Sequence, residues 1–287
     1  MLTAPIHVSL GGLLALSLLG QAVAAEPPAK ELFGAVATPS PAPTTLVIGS
    51  HAKGCLAGGT ALPKDGPGWQ AMRLSRNRTW AHPALIEAIQ RLAAAARADG
   101  WPGLLVGDIA QPRGGPMRTG HASHQIGLDA DIWLMPMPDR TLTLEERETL
   151  SAVSMLRPGT REVDPALFRR AHAALIRRAA ELREVARVFV HPGIKQALCA
   201  SAGRDRAWLQ KVRPWYGHDA HFHVRLACPP DQPLCLDQEP PPPGDGCGDE
   251  LAWWLGEEPW RTPAKPPTPP LQLADLPPQC ATVLEAR

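Results

Sequence analysis

The clearest alternation in the chain runs from Leu128 to Leu134, where Leu128, Ala130, Ile132 and Leu134 are apolar and Asp129, Asp131 and Trp133 stand between them. A period of two is the pattern of a half-buried strand, so the apolar face packs and both aspartates point the other way. A second stretch alternates in the same manner: Ala220, Phe222, Val224 and Leu226 fall on one face, His221, His223 and Arg225 on the other. Apolar runs at 46–49, 104–109 and 187–190 predict further strands. Between Pro83 and Gly100, Leu85, Ile86, Ile89 and Leu92 recur at helical spacing, with a proline at the start and a glycine at the end, which predicts a helix. Residues 144–156 and 165–185 read as amphipathic helices, and 192–202, followed by Gly203, as a short glycine-capped helix. Gln111 to Pro116 is a loop by composition. From Pro229 to Pro278 roughly every third residue is proline, which predicts a wrapped or extended tail rather than a helix or central strand.

The two alternating stretches also carry the chemistry. The first, Gly120 to Leu134, holds His121, His124, Asp129 and Asp131; the second, His218 to Leu226, holds His218, His221 and His223, so five of the ten histidines fall in two short windows. A catalytic zinc takes three protein ligands from imidazole and carboxylate and leaves a fourth position to water. His124 and Asp131, in a His-x6-Asp spacing, supply two, and one of the strand pair His221 and His223 completes the set, with the remaining histidines around the metal. Each member has a structural alternative. A lone histidine is more often a hydrogen-bonded structural residue, which is how His51, His82, His172 and His191 read, and Asp129 reads as a surface residue or as the partner that orients an imidazole. A two-histidine, one-carboxylate iron site needs the same ligand types but usually a closer histidine–carboxylate spacing. His-Glu-x-x-His and Gly-x-Ser-x-Gly are absent from the sequence, so water activated by a metal is the economical hypothesis.

Composition sets the surroundings of that site. The 287 residues are 44% apolar and 20% charged, ordinary for one large globular domain or two small ones. A net charge of +1, with no block of basic residues, gives no argument for nucleic acid. Residues 1–25 carry an apolar run from Val8 to Gly20 and then small residues at Ala22 to Ala25, the pattern of a cleavable secretory signal, although its first residues hold no lysine or arginine. The run is shorter than a membrane span and broken by glycines, so cleavage after Ala24 or Ala25, and no stable membrane insertion afterwards, is expected. Six cysteines without a Cys-x-x-Cys pair suit structural bridges in an oxidising compartment, with 15 pairings open. The oligomeric state is not legible.

Gly120 to Asp131, Trp215 to Arg225, Ile194 to Cys199, Leu209 to Trp215 and Gly244 to Gly248 together resemble the penicillin-insensitive murein endopeptidases, relatives of lysostaphin and the D-Ala-D-Ala metallopeptidases. The resemblance spans essentially the whole mature chain. It implies an α+β fold with a central antiparallel sheet carrying the ligands, helices around it, and a proline-rich C-terminal segment pinned by disulfides. It implies His124, Asp131 and His223 as zinc ligands, His121 as a further metal contact in some states, and His218 and His221 as acid–base and transition-state residues. Carried to matching cysteines, the family's bridges join Cys55 to Cys280, Cys199 to Cys247 and Cys228 to Cys235. An additional peripheral metal site known in the family finds no counterpart between Pro138 and Val163. The organisation expected is a signal peptide at 1–25, a Pro/Ala-rich lead-in at 26–45, a metallopeptidase domain at 46–236 and the pinned segment at 237–287. The implied substrate is the D-alanyl-meso-diaminopimelate cross-link of peptidoglycan in the periplasm. A D,D- or L,D-carboxypeptidase on peptidoglycan stems and a zinc-holding peptidoglycan-binding module without turnover are the alternatives. Arg113, Arg204, Arg206 and Arg213 are candidate contacts to an anionic stem peptide, each weighed against a solvated surface role.

Overall fold

The computed structural model describes Met1, residues 26–261 and residues 269–287; apart from Met1, the secretory signal expected at 1–25 lies outside the described residues. The strands are β1 (Leu46–Ser50), β2 (Lys53–Ala57), β3 (Thr60–Ala61), β4 (Asp65–Gly66), β5 (Trp69–Ala71), β6 (Trp80–Ala81), β7 (Leu104–Val106), β8 (Asp129–Trp133), β9 (Val185–Val190), β10 (Val212–Pro214) and β11 (His221–Leu226). The α-helices are α1 (Ala29–Phe33), α2 (Pro83–Ala98), α3 (Leu144–Thr149), α4 (Arg170–Glu181), α5 (Pro192–Ser201), α6 (Asp249–Leu255) and α7 (Gln279–Glu285). No helix among the described residues is long and apolar enough to cross a membrane.

Seven strands form one sheet in the order β10-β9-β11-β8-β7-β5-β4. The fold is α+β as expected, and the centre of the sheet, β9-β11-β8-β7, is antiparallel. The flanks are not: β10 pairs parallel with β9, and β5 parallel with β7, so the whole sheet is mixed. The two alternating windows become neighbours, with His223 opposite Asp131 and Arg225 opposite Asp129. Directly opposed residues in an antiparallel pair share a face, so this register gathers both carboxylates and the histidine on one side. Their apolar alternates face the helices: Ala130, Ile132, Phe222 and Val224 share a core with Leu85, Ile89 and Leu92 of α2 and Leu175, Ile176 and Ala179 of α4. Burying each large aliphatic side chain there contributes roughly 1.5–3 kcal/mol, which makes the register costly to slip.

The structural histidines have definite work. His82 and His191 cap the N-termini of α2 and α5, accepting from the Ala84 and Gly193 amides at 3.2 and 3.1 Å, and His172 accepts from the Arg169 amide at 3.0 Å. Two predicted helices are shorter than their apolar periodicity. The helix read at 144–156 ends at Thr149, because the Leu150 carbonyl accepts from the Arg73 guanidinium and the Met155 amide donates to the Asp219 carbonyl. The helix read at 165–185 runs from Arg170 to Glu181, and its last predicted residue, Val185, opens β9 instead. The strand read at 104–109 stops at Val106, where the Gly107 amide bonds the Asp131 carbonyl and the Asp131 amide bonds the Asp108 carbonyl. The chain there stays hydrogen-bonded to Asp131 of β8, which sets Asp108 beside the site.

Both proline-rich ends are more ordered than composition implied. The segment read as an extended tail contains α6 in a stretch without proline, and within the lead-in α1 buries Ala29 and Phe33 against Leu276, Cys280 and Val283. Disulfides join Cys55 to Cys280, Cys199 to Cys247 and Cys228 to Cys235, the pairs that the resemblance implied. Arg113, a candidate substrate contact, is instead a buried clamp on α7, donating to the Val283 and Leu284 carbonyls. Arg213 is likewise buried and paired with Glu250, and Arg206 with Asp245, while Arg204 is exposed. Cys55–Cys280 closes a span of 225 residues, so Cys55→Ala/Cys280→Ala is expected to lose about 3 kcal/mol of stability. Urea denaturation reads the loss, and a midpoint equal to wild type would refute the pinning role.

Candidate metal centre

The first window reaches the sheet face through a turn that its backbone barely tolerates. His124 has φ +64 and, across the site, His218 has φ +57, left-handed values that cost a side-chain-bearing residue free energy and persist where the surroundings over-determine them. The loop from Gln111 to Pro116 lies beneath: a Cβ on Gly114 would stand 2.0 Å from the Gln125 carbonyl oxygen, so only glycine permits that approach. Gln125 ties the turn to the β1–β2 hairpin, donating to the Ala52 carbonyl at 2.8 Å and accepting from the Gly54 amide at 3.2 Å.

Asp131 is the hub of the side chains so placed. Its carboxylate lies 3.4 Å from His124 Nε2, 3.5 Å from His121 Nε2, 3.7 Å from His221 Nε2 and 3.9 Å from His223 Nδ1. Ligand atoms of His121, His124 and Asp131 all lie within 4.8 Å of one another, a spacing that could hold a metal ion. His218 completes the ring, its centroid 4.9 Å from that of His221. All six residues read from the windows as site candidates therefore converge on one place, from β8, β11 and the turns that precede them.

The donor atoms suit a cation. His124 Nδ1 carries the proton it gives to the Ile109 carbonyl at 2.8 Å, which leaves Nε2, facing Asp131, as the nitrogen that could bind a metal. That Nε2 and Asp131 Oδ1 are buried without a hydrogen-bond partner, a cost of about 1–3 kcal/mol per orphaned atom that a bound metal would remove. His223 Nε2 sits 3.0 Å from Asp129 Oδ1, within ion-pair distance but out of hydrogen-bond alignment. Its Nδ1 therefore looks towards Asp131. Imidazoles with a carboxylate match zinc and its first-row neighbours rather than calcium or magnesium.

Charge is arranged to keep the carboxylates ionised. Burial opposes the charge of Asp131, but His221, His124 and His121 hold its pKa well below the usual range. Asp129 is fully buried yet held low by Arg225, His51 and His223; it accepts from Arg225 at 2.8 and 3.1 Å and from the His124 amide at 3.0 Å. For His124, burial pulls the pKa down, but Asp131 and Asp129 carry it up. Burial pushes His223 down to about 3 and His218 to about 4, so both rings are neutral near pH 7.

Sequence reasoning passed over two members. Asp108, from the expected strand at 104–109, swings to within 3.1 Å of His121 Nε2 while accepting from Arg76 and Arg78 at 3.0 and 2.8 Å. These contacts hold its pKa to about 2 against burial. His51, read as structural, stands 3.2 Å from Asp129. Nothing in the local pattern marks either, because each reaches the site by a long-range turn. Beside the histidines opens a cavity of about 400 Å³, lined by His121, His218 and His223 on one side and Phe189, Trp215 and Tyr216 on the other.

The chain is similar to known proteins over most of its length. Residues 47–285 match the family model described as penicillin-insensitive murein endopeptidase. A protein of that name from Haemophilus influenzae is 48% identical over 227 residues, 78% of each chain. One from Klebsiella pneumoniae is 45% identical over 239 residues, 83% of this chain and 85% of its own. One from Yersinia enterocolitica is 41% identical over 277 residues, 96% of both.

Proposed function

The chain belongs to the penicillin-insensitive murein endopeptidase family, and on that premise we propose that it is an exported, periplasmic zinc endopeptidase that hydrolyses D-alanyl-meso-diaminopimelate cross-links in peptidoglycan. The observation that carries the reading is the convergence of four imidazoles on the Asp131 carboxylate at 3.4 to 3.9 Å. His124, Asp131 and His223 are the proposed ligands, with His121 as a fourth contact shared with Asp108. When bound, zinc acidifies a water molecule and polarises the scissile carbonyl.

The remaining work falls to the protein's own groups. His218 donates its Nδ1 proton to the Tyr216 carbonyl at 2.6 Å, which fixes the tautomer and leaves Nε2 free to accept. His221, more open to solvent on the rim of β11, faces Asp131 and can pass a proton to the departing amine. A protonated imidazole at either position also stabilises the developing oxyanion. Asp129 holds His223 and the His124 backbone in place while Arg225 keeps that carboxylate charged. No step uses an acyl-enzyme serine, so a β-lactam has nothing to acylate.

Incubation with cross-linked muropeptide dimers should give monomers, and a chelator should stop the reaction until zinc is returned. Intact dimers with the metal loaded would overturn the assignment, and trimmed monomer stems would favour a carboxypeptidase. His221→Ala is expected to keep its zinc while kcat falls on the order of 10²-fold. Loss of zinc from that variant would make His221 a ligand instead.

A further inference from the structure

Four of the nine tryptophans stand in one wall that the proposed chemistry does not use. It begins at Phe189 beside His218 and continues to Trp215 at 6.1 Å between ring centroids. From Trp215 it passes to Trp254 at 5.7 Å and from there to Trp253 at 5.1 Å. Tyr216 fills the angle, 4.9 Å from Trp254 and 5.4 Å from Trp260, its hydroxyl donating to the Pro259 carbonyl at 2.6 Å. The wall is braced from behind: Cys199–Cys247 holds the segment leading into α6, and the Lys195 ammonium donates to the Leu209 and Asp245 carbonyls at 2.7 and 2.6 Å.

Docking α6 onto the domain accounts for Trp254, which is 6% exposed, but not for its neighbours. Trp215 is 49% exposed and Trp253 45%. Rigid aromatic faces left in water, in a chain that buries Trp69, Trp101, Trp133 and Trp208, mark a recognition surface. Trp215 and Tyr216 also line the cavity that holds His121, His218 and His223, so the surface is continuous with the candidate metal centre.

We infer that this wall is a glycan subsite, on which Trp215 and Trp253 stack against the amino-sugar rings that flank the peptide cross-link. The inference rests on the murein reading above and names the part of that polymer the wall receives. The C–H face of a pyranose is apolar and matches an exposed indole, while its hydroxyl and acetamido groups stay in water at the edge. The scale agrees: the glycan lies three to four stem residues from the scissile bond, roughly 10–14 Å at 3.3–3.6 Å per extended residue. Two ring steps outward from His218, of 6.3 and 6.1 Å through Phe189, reach Trp215 within that range, and Trp253 stands two further steps out, where the next sugar along the strand would lie.

Two measurements test it. The first is binding, independent of turnover: glycan strands stripped of peptide are titrated into the zinc-loaded full chain and tryptophan fluorescence is followed. Saturable quenching is expected, weakened about fivefold or more in Trp253→Ala and in Trp215→Ala; no saturable binding by wild type overturns the inference whether or not dimers are cleaved. The second compares KM for a disaccharide-bearing muropeptide dimer with KM for the same dimer freed of sugar. Wild type should show a lower KM for the sugar-bearing form, and Trp253→Ala should bring the ratio close to one. Equal KM values in wild type, or a ratio unchanged by the substitution, would assign the wall to the peptide stem and overturn the glycan subsite. Failure to cleave either dimer would instead count against the endopeptidase reading.

Discussion

Asp131→Asn is expected to abolish zinc binding at micromolar metal and to lower cleavage of cross-linked dimers by roughly 10³-fold or more. The substitution keeps the shape of the side chain and removes one charge. That charge is the only carboxylate shared by the nitrogens of His121, His124, His221 and His223 among the described residues. Without it, a dication would face imidazoles alone. Stability separates this from simple misfolding. In the metal-free protein the depressed pKa of Asp131 reports a favourable interaction with the surrounding histidines, so the amide is expected to fold with a somewhat lower Tm than the acid, and the separation lies in the response to metal. Zinc should then raise Tm in wild type, since a ligand that binds only the native state stabilises it, and leave Asp131→Asn unmoved. A variant that retains stoichiometric zinc and wild-type turnover would refute the assignment of Asp131.

The second large effect is expected at Asp129, two residues earlier on the same face. Asp129→Ala removes a carboxylate with no exposed surface and strands Arg225, itself buried, with Gln238 as its remaining side-chain partner. Breaking one half of a buried ion pair costs about 3–5 kcal/mol, a large share of the stability of an ordinary domain. Arg225→Met in the same chain should recover part of the loss, because the stranded cation is gone. The sign of the pH dependence follows from the depressed pKa of Asp129. Its stabilisation is present above the ordinary carboxylate range and is lost as the pH falls through that range towards the folded value. Urea denaturation of metal-free protein should therefore show a shallower acid limb in Asp129→Asn than in wild type. Identical limbs, or a double variant no more stable than Asp129→Ala, would refute the pairing.

Much of this centre was legible before folding was considered. Alternation from Leu128 to Leu134 and from Ala220 to Leu226 put Asp129, Asp131, His221, His223 and Arg225 on polar faces, because strand geometry repeats every two residues whatever the partner. The same local logic placed α2 between its proline and its glycine. It overran α3, whose C-terminal carbonyl is taken by Arg73, and it missed α6 inside a segment judged by its prolines. The four histidines read as structural divide in the same way. His82, His172 and His191 make capping contacts within three residues, whereas His51 reaches Asp129, 78 positions away.

The sequence by itself determined which residue types were available, which face of each strand they occupy, and the family to which their spacing points. Only the tertiary structure decided that β8 and β11 are neighbours in the register that sets His223 against Asp131 and Arg225 against Asp129. It alone bent His124 and His218 into left-handed turns, brought Asp108 to His121, and laid Trp254, with Trp253 next to it, beside Trp215. Periodicity is a property of the local backbone and can be read from neighbours in the chain. Register, long-range turns and the docking of a disulfide-held segment depend on contacts between residues tens to hundreds of positions apart, chosen by the packing of the whole core.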